Sequence, residues 1–127
     1  MVPVLRGKAA AYEHHHDRAA AAGRPVVLPT IVLHELWYGV ERSAHRHRNR
    51  LMLDQYLAGP VQSLPFDEDD ATEAARLRAL LAQTGTPIGL YDLLIAAQAS
   101  RRAWTVATGN VREFSRLPGL AVEDWTV

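Results

Sequence analysis

The feature that most constrains the fold is an apolar helix that carries one carboxylate in its first turn. Residues 86–99 read Thr-Pro-Ile-Gly-Leu-Tyr-Asp-Leu-Leu-Ile-Ala-Ala-Gln-Ala. Pro87 and Gly89 predict a turn before the helix, and the Leu, Ile and Ala residues that follow Asp92 leave the helix almost no polar side. The sequence therefore predicts a buried helix.

Asp92 allows two interpretations. An isolated buried charge is too costly to keep, so a carboxylate at the mouth of such a helix must be paired, hydrogen-bonded, protonated or bound to a cation. Alternatively, Asp92 caps the helix, because the free backbone N–H groups and the helix dipole favour a carboxylate in the first turn. Capping is the commoner use of Asp, and this stretch alone leaves both interpretations open.

Short apolar runs alternate with helical segments along the rest of the chain. Strands are predicted over residues 26–28, 61–64, 104–107 and 120–122. Helices are predicted over residues 8–22, 31–43, 45–57 and 67–84, with a short helical turn over 111–114. This alternation is typical of an α/β fold with a mostly parallel sheet and helices on both faces. We expect a single domain over residues 1–127.

The composition excludes several classes of function. The chain contains no cysteine, which excludes disulfides, thiolate metal sites and thiol catalysis and is compatible with the cytoplasmic location that we expect. Its apolar runs are too short for a membrane span, and no apolar segment of a secretion signal follows Arg6 and Lys8. Because no Gly-rich phosphate loop follows a predicted strand, a nucleotide-binding protein is a weak hypothesis.

Net charge gives no argument for nucleic-acid binding, because fourteen basic and fourteen acidic residues cancel. Any such surface has to come from local clustering. The one concentrated basic run of the sequence is His-Arg-His-Arg-Asn-Arg at residues 45–50, which could contact phosphates or simply form the solvated start of a helix.

Glu35 lies at the edge of an apolar stripe in the helix predicted over 31–43, rather than opposite it. Its carboxylate is thus directed toward the boundary of the core, near the end of a strand. It is either a functional group or a half-exposed residue paired with Arg42 or His34, and the sequence does not decide between the two.

Polar residues also follow the strand predicted over 104–107. Asn110 lies in the turn after that strand, and Glu113 lies in the helical turn that comes next. In open parallel sheets, ligands collect at the carboxyl ends of the strands. We therefore expect Glu35, Asn110 and Glu113 at one edge, which Asp92 would join if its helix begins there.

Two other clusters suggest metal sites at first sight. Three consecutive histidines occupy residues 14–16, but consecutive helix residues point about 100° apart and cannot converge on one ion. Four acids at residues 67–70 open a predicted helix, with Asp67 as the N-cap. Capping and the helix dipole account for these acids better than a metal does.

Three stretches resemble the second, third and fourth motifs of PIN-domain proteins, and above all of the VapC-type toxins of toxin–antitoxin pairs. They are Pro-Thr-Ile-Val-Leu-His-Glu-Leu-Trp-Tyr-Gly at 29–39, Pro-Ile-Gly-Leu-Tyr-Asp-Leu-Leu-Ile-Ala-Ala at 87–97 and Thr-Val-Ala-Thr-Gly-Asn-Val-Arg-Glu-Phe at 105–114. No one motif is specific, but three in register are. The resemblance implies a PIN-like three-layer α/β sandwich whose acidic edge holds Mg²⁺ or Mn²⁺ and cleaves RNA, and such cations prefer oxygen ligands.

The resemblance also implies roles for single residues. Asp92 would be the main metal ligand, and Glu35 would bind the ion directly or through water, or orient the attacking water. Asn110 and Glu113 would complete the catalytic pocket. Two arginines near that edge would hold flanking phosphates of the RNA, namely Arg112 and Arg116. The expected partners are the RNA substrate, a cognate antitoxin and a second copy of the chain in a homodimer, with no membrane.

The start of the chain departs from the family pattern. PIN domains open with an apolar strand that ends in Asp-Thr-Asn or a close variant, whereas this chain begins Met-Val-Pro-Val-Leu-Arg-Gly-Lys and its first Asp is Asp17. Since proline disfavours an inner strand, Pro3 predicts that residues 2–5 do not form one and that the N-terminal strand is missing. Either the natural protein starts upstream of Met1, or this copy is truncated.

This departure gives two functional hypotheses. The first is a Mg²⁺- or Mn²⁺-dependent endoribonuclease toxin with weak or absent activity, because Asp92, Glu35 and Glu113 supply fewer charged ligands than the family does. The second is a decayed, non-catalytic PIN module that binds an antitoxin or itself. Apolar side chains such as Trp37, or the helix at 51–57, would serve such binding, although core packing explains them equally well.

Overall fold

Five short parallel strands form one sheet in the computed structural model, which describes residues 3–6, 18–19, 21–24 and 26–125. The order across the sheet is β3-β2-β1-β4-β5. The strands are β1 (Pro3–Arg6), β2 (Val26–Pro29), β3 (Val61–Leu64), β4 (Thr105–Thr108) and β5 (Ala121–Asp124). The predicted α/β fold with a mostly parallel sheet is confirmed, and β5 lies at one edge of the sheet.

The first strand lies in the middle of the sheet. Backbone pairing places Val4 opposite Val27 of β2 and runs along β4 from Pro3 opposite Thr105 to Arg6 opposite Thr108. The prediction that Pro3 keeps these residues out of an inner strand, and that the N-terminal strand is missing, is therefore wrong. Proline is tolerated here because Pro3 is the first residue of β1. At that position, its missing backbone N–H does not interrupt the hydrogen bonds between the strands.

Helices connect the strands close to the predicted bounds. They are α1 (Thr30–Glu41), α2 (Arg46–Leu57), α3 (Glu68–Thr84), α4 (Leu90–Arg102) and the single turn α5 (Val111–Phe114). Before β2, a helical segment ends at Ala21 and is followed by Gly23 with a φ of +72°, as predicted for the helix over 8–22. The rest of that helix and the three histidines lie outside the described residues.

Helix α4 is buried as its sequence predicts. Six of its residues are inaccessible or nearly so, namely Leu93, Ile95, Ala96, Ala97, Gln98 and Ala99. It packs along α3 and against the central strands, and β2 and β4 are buried over their whole length. Helix α2 is the opposite case, since none of its residues is buried. No helix in the described part of the chain has both the length and the apolar character to cross a membrane.

Candidate active site

Glu113 joins the short helix after β4 to the start of α4. Its Oε1 atom accepts a hydrogen bond from the backbone N–H of Gly89 at 2.5 Å, and its carboxyl group is hydrogen-bonded to that of Asp92. A Cβ atom placed on Gly89 would lie 3.4 Å from Oε1 of Glu113 and 3.7 Å from Oδ2 of Asp92. The N-terminus of α4 therefore lies at the edge where β4 ends, and two carboxyl groups meet there.

Asn110 fixes Glu113 from the other side. Its backbone N–H donates to the hydroxyl of Thr108, the last residue of β4, at 2.9 Å. Its side-chain amide donates to Oε2 of Glu113. Asn110, Glu113 and Asp92 thus form one polar cluster, which is called the acidic edge below.

The hydrogen bonds at the acidic edge favour the ionised form of Glu113. The N–H of Gly89 lowers the pKa of Glu113 most, and Asn110, Asp92 and the charge of Arg116 lower it further against the opposing effect of burial. Two carboxylates this close repel each other unless a proton or a cation lies between them. A cation removes the same repulsion, so the donor set fits a divalent ion that prefers oxygen ligands.

Glu35 lies on α1, which follows β2 directly, and it is half-buried. The ring of the preceding His34 stands edge-on to that of Tyr91, with centroids 6.0 Å apart and an interplanar angle of 83°. Helix α1 therefore passes close to the first turn of α4. However, no group of three His, Asp or Glu side chains within the described ranges is arranged to hold a metal ion, so joint coordination by Glu35 and Asp92 stays a prediction.

The two arginines expected to bind phosphates differ in their surroundings. Arg112 is exposed on α5. Arg116 is also exposed, but its Nη1 atom donates to the carbonyl of Pro87 at 3.0 Å, so it holds the loop that leads into α4. Arg116 thus helps to position the acidic edge, and its contact with RNA stays a prediction, like that of Arg112.

The four acids at residues 67–70 lie at the other end of α4, and their interpretation as capping residues is confirmed. Asp67 accepts from the N–H of Asp70 at 2.8 Å, and Asp70 accepts from the N–H of Asp67 at 3.0 Å, which makes a reciprocal capping box. Asp70 is also fully buried and bound by Arg101 and Arg102, which the sequence alone did not predict. The sequence feature that could have indicated this pairing is the two adjacent arginines at the end of an apolar helix.

The sequence matches the PIN domain family over residues 5–120. It is 37% identical over 113 residues to the tRNA(fMet)-specific endonuclease VapC of Salmonella typhimurium. The aligned region covers 89% of this chain and 85% of the relative. It is 36% identical over 105 residues to Ribonuclease VapC2 of Rickettsia felis, covering 83% of this chain and 78% of the relative.

Solved structures show the same likeness. The crystal structure of VapBC2 from Rickettsia felis, bound to a promoter DNA fragment, superposes with a TM-score of 0.87 and 30% identity, covering 98% of this chain and 99% of that one. DNA-bound VapBC from Salmonella typhimurium gives a TM-score of 0.86 and 31% identity, covering 98% of both chains. The similarity in sequence and fold therefore extends over nearly the whole chain.

Proposed function

The chain belongs to the PIN-domain family, as a VapC-type member, and we therefore propose that it is the endoribonuclease toxin of a type II toxin–antitoxin pair. The observation that carries the proposal is the acidic edge. Asp92 and Glu113 are brought together from segments 21 residues apart, at the carboxyl end of β4 where open α/β sheets bind ligands. Curated relatives are named as ribonucleases, and RNA is the substrate that we propose here.

Ribonucleases of the PIN-domain family generally depend on a divalent metal ion, and we propose Mg²⁺ or Mn²⁺ for this chain. Asp92 would be the main ligand, with Glu35 binding directly or through water and with Asn110 and Glu113 completing the pocket. When bound, the ion would lower the pKa of a water molecule and neutralise charge that grows on the scissile phosphate.

The protein's own contribution is to hold the carboxylates in place before RNA arrives. The N–H of Gly89 and the amide of Asn110 fix both oxygens of Glu113 and keep it ionised. Arg116 holds the preceding loop at Pro87. An ionised Glu113 has lone pairs left to accept a hydrogen bond from the attacking water, while Glu35 approaches from α1.

We expect low turnover. The resemblance implies an Asp at the end of the central strand, but Arg6 of β1 is followed by Gly7 and Lys8, and the first Asp is Asp17. The acidic edge therefore has fewer charged ligands than the family pattern, which weakens both the affinity for the ion and the neutralisation of the phosphate.

The proposal is tested by incubating the purified chain with single-stranded RNA and Mg²⁺ or Mn²⁺. We expect slow cleavage that Asp92→Asn abolishes and that the matched control Asp69→Asn leaves unchanged, because Asp69 has an 81% exposed side chain at the other end of α4. The melting temperature gives a second readout, since an ion that binds only the folded chain raises it in the wild type and not in Asp92→Asn. Cleavage that survives Asp92→Asn would exclude this site.

A non-catalytic partner-binding module is the second candidate. Helix α2 has no buried residue, and Leu51 and Met52 are 51% and 60% exposed, which leaves apolar surface for a partner. Similar solved structures are VapBC complexes, so we propose a cognate antitoxin as partner, together with a homodimer and a cytoplasmic location. Co-purification with the product of a neighbouring gene, unchanged by Asp92→Asn and without any RNA cleavage by the wild type, would favour this candidate.

A further inference from the structure

A row of exposed rings leads away from the acidic edge along α1. It begins with Tyr91, the neighbour of Asp92, whose ring meets that of His34 at 6.0 Å. Tyr38 lies one helical turn beyond His34 on the same face and is 60% exposed. The guanidinium of Arg42 lies over the Tyr38 ring, 5.5 Å from its centroid. From His34 to Arg42 the row covers about 12 Å of helix.

The row ends at a strongly basic corner, defined as residues 41–54, where α1 turns into α2. The corner carries four arginines against Glu41 and Asp54, a net charge of +2 in a chain whose formal net charge is zero. The ion pair between Glu41 and Arg46 spans 3.9 Å between side chains that are about two-thirds exposed, which neutralises little. The corner therefore concentrates positive charge at one place on the surface.

Local helix stability does not explain this concentration of charge. Arginines in the first turns of α2 oppose the helix dipole, since cations are favoured at the other end of a helix. The helix has no acid in its first turn and no capping side chain, and none of its residues is buried. Arg48 is exposed and makes no ion pair among the described residues. Arginines that weaken their own helix, one of them without an ion pair among the described residues, point to a functional surface.

Arginine and aromatic side chains are also paired at this corner. Besides Arg42 over Tyr38, the guanidinium of Arg50 lies 5.8 Å from the centroid of the Trp37 ring. Exposed rings accept nucleobases by stacking, and planar guanidinium groups bind phosphates, a combination used by proteins that bind single strands. The corner also exposes Leu51 and Met52, but its four arginines outnumber them, which favours a polyanion over an apolar helix.

We propose that the row Tyr91–His34–Tyr38 and the basic corner form a binding track for single-stranded RNA next to the scissile bond. This rests on the proposed ribonuclease function, because it assigns the path of the substrate away from the acidic edge. Bases stack on the exposed rings, and the following phosphates contact Arg42, Arg46 and Arg48. Stacking does not read base edges, so the track contributes affinity that is tolerant of sequence.

The test measures binding without cleavage. The full chain is titrated against a fluorescent single-stranded RNA in a chelating buffer, where metal-dependent turnover cannot occur. We expect Tyr38→Ala to weaken binding at least about fivefold, and Tyr38→Phe to retain it because the ring is kept. Arg48→Ala is expected to lower the slope of log affinity against log salt by about 0.7, the value for one phosphate contact on a single strand.

The matched control for charge is Arg78→Ala, which removes an exposed arginine from α3, away from the track. It is expected to leave both affinity and salt slope unchanged, and melting temperatures check that every variant is folded. Equal RNA affinity of Tyr38→Ala and wild type would overturn the proposal. It would also be overturned if Tyr38→Ala and Arg48→Ala kept their RNA affinity but no longer bound a protein partner. RNA binding that depends on the track, in a chain that cleaves nothing, would support the track and count against the proposed activity.

Discussion

The two ends of helix α4 each gather carboxylates, but they neutralise them in different ways. At the C-terminal end, Asp70 is fully buried and its Oδ1 atom is 2.9 Å from Nε of Arg101 and 2.7 Å from Nη1 of Arg102. At the N-terminal end, the carboxyl group of Glu113 faces that of Asp92. One end is therefore an ion-pair network around a buried carboxylate, whereas at the other end two carboxyl groups meet, with the N–H of Gly89 and the amide of Asn110 bound to Glu113 and the charge of Arg116 nearby.

This difference separates an acid that stabilises the fold from two acids that we propose bind a ligand. Burial alone would raise the pKa of Asp70, but hydrogen bonds from Arg102, from the backbone N–H of Asp67 and from Arg101 lower it to about 2. Its charge stabilises the contact between α3 and α4. The proximity of Asp92 and Glu113 gives the fold no comparable benefit, because two adjacent carboxylates repel each other unless a proton or a cation lies between them.

The largest effect is expected at the structural end. Asp70→Ala removes the common partner of Arg101 and Arg102 and one half of the capping box, so we expect it to destabilise the chain by about 3 kcal/mol. This corresponds to a fall in melting temperature of about 10 °C for a chain of this size. Asp69→Ala is the control and should change stability by less than about 0.5 kcal/mol. Equal melting temperatures of the two variants would show that the network is not structural.

At the acidic edge, we expect a large effect on activity and a small effect on stability. Glu113→Gln keeps a side chain of the same shape but removes one of the two adjacent charges, so we expect it to lower RNA cleavage about 100-fold, the scale of a single electrostatic contribution to catalysis. Because the pKa of Glu113 is lowered in the folded chain, its charge also adds some stability, so we expect the melting temperature in metal-free buffer to fall, but by less than in Asp70→Ala. A large fall in melting temperature would mean that Glu113 serves the fold, as Asp70 does.

A smaller effect, on the pH dependence of stability, is expected from the ionisation of Asp70. Since the pKa of Asp70 is lowered from 3.8 to about 2 in the folded chain, its ionisation stabilises the fold above about pH 4. That contribution, about 2 kcal/mol, is lost as the pH falls from about 4 to 2. The free energy of unfolding of wild type and Asp70→Asn, measured across this window, should therefore converge at low pH. A difference that stays constant with pH would contradict the assignment.

Local signals predicted much of this arrangement. Asp67 and Gly85 set the two ends of α3, and Gly85 adopts the left-handed conformation with a φ of +68° that ends helices. The apolar run after Asp92 predicted a buried α4, and alternating elements predicted the parallel sheet. These features depend on a few consecutive residues, which a sequence displays directly.

The rest depends on partners distant in the chain. Residues 3–6 become a central strand only because β2 and β4 lie on either side, about 20 and 100 residues away in the chain. The prediction from Pro3 considered neighbouring residues alone and was therefore wrong. The pairing of Asp70 with Arg102 and the hydrogen bond from Gly89 to Glu113 likewise join separate segments. The resemblance predicted that Glu113 belongs to a catalytic pocket, but the backbone donor that holds it is visible only in the structure.

The smallest effect is expected from Gly89, which lies beside both carboxyl groups. Its φ of −55° and ψ of 145° suit any residue, and an added Cβ would make ordinary contacts at 3.4 Å with Glu113 and 3.7 Å with Asp92. Gly89→Ala should therefore fold with a melting temperature within about 2 °C of wild type. The methyl group would nevertheless occupy space beside both carboxylates, so we expect a several-fold loss of RNA cleavage. Unchanged cleavage would place the reacting phosphate away from the Gly89 side of the acidic edge, and would leave Glu35 on α1 as the group that faces it.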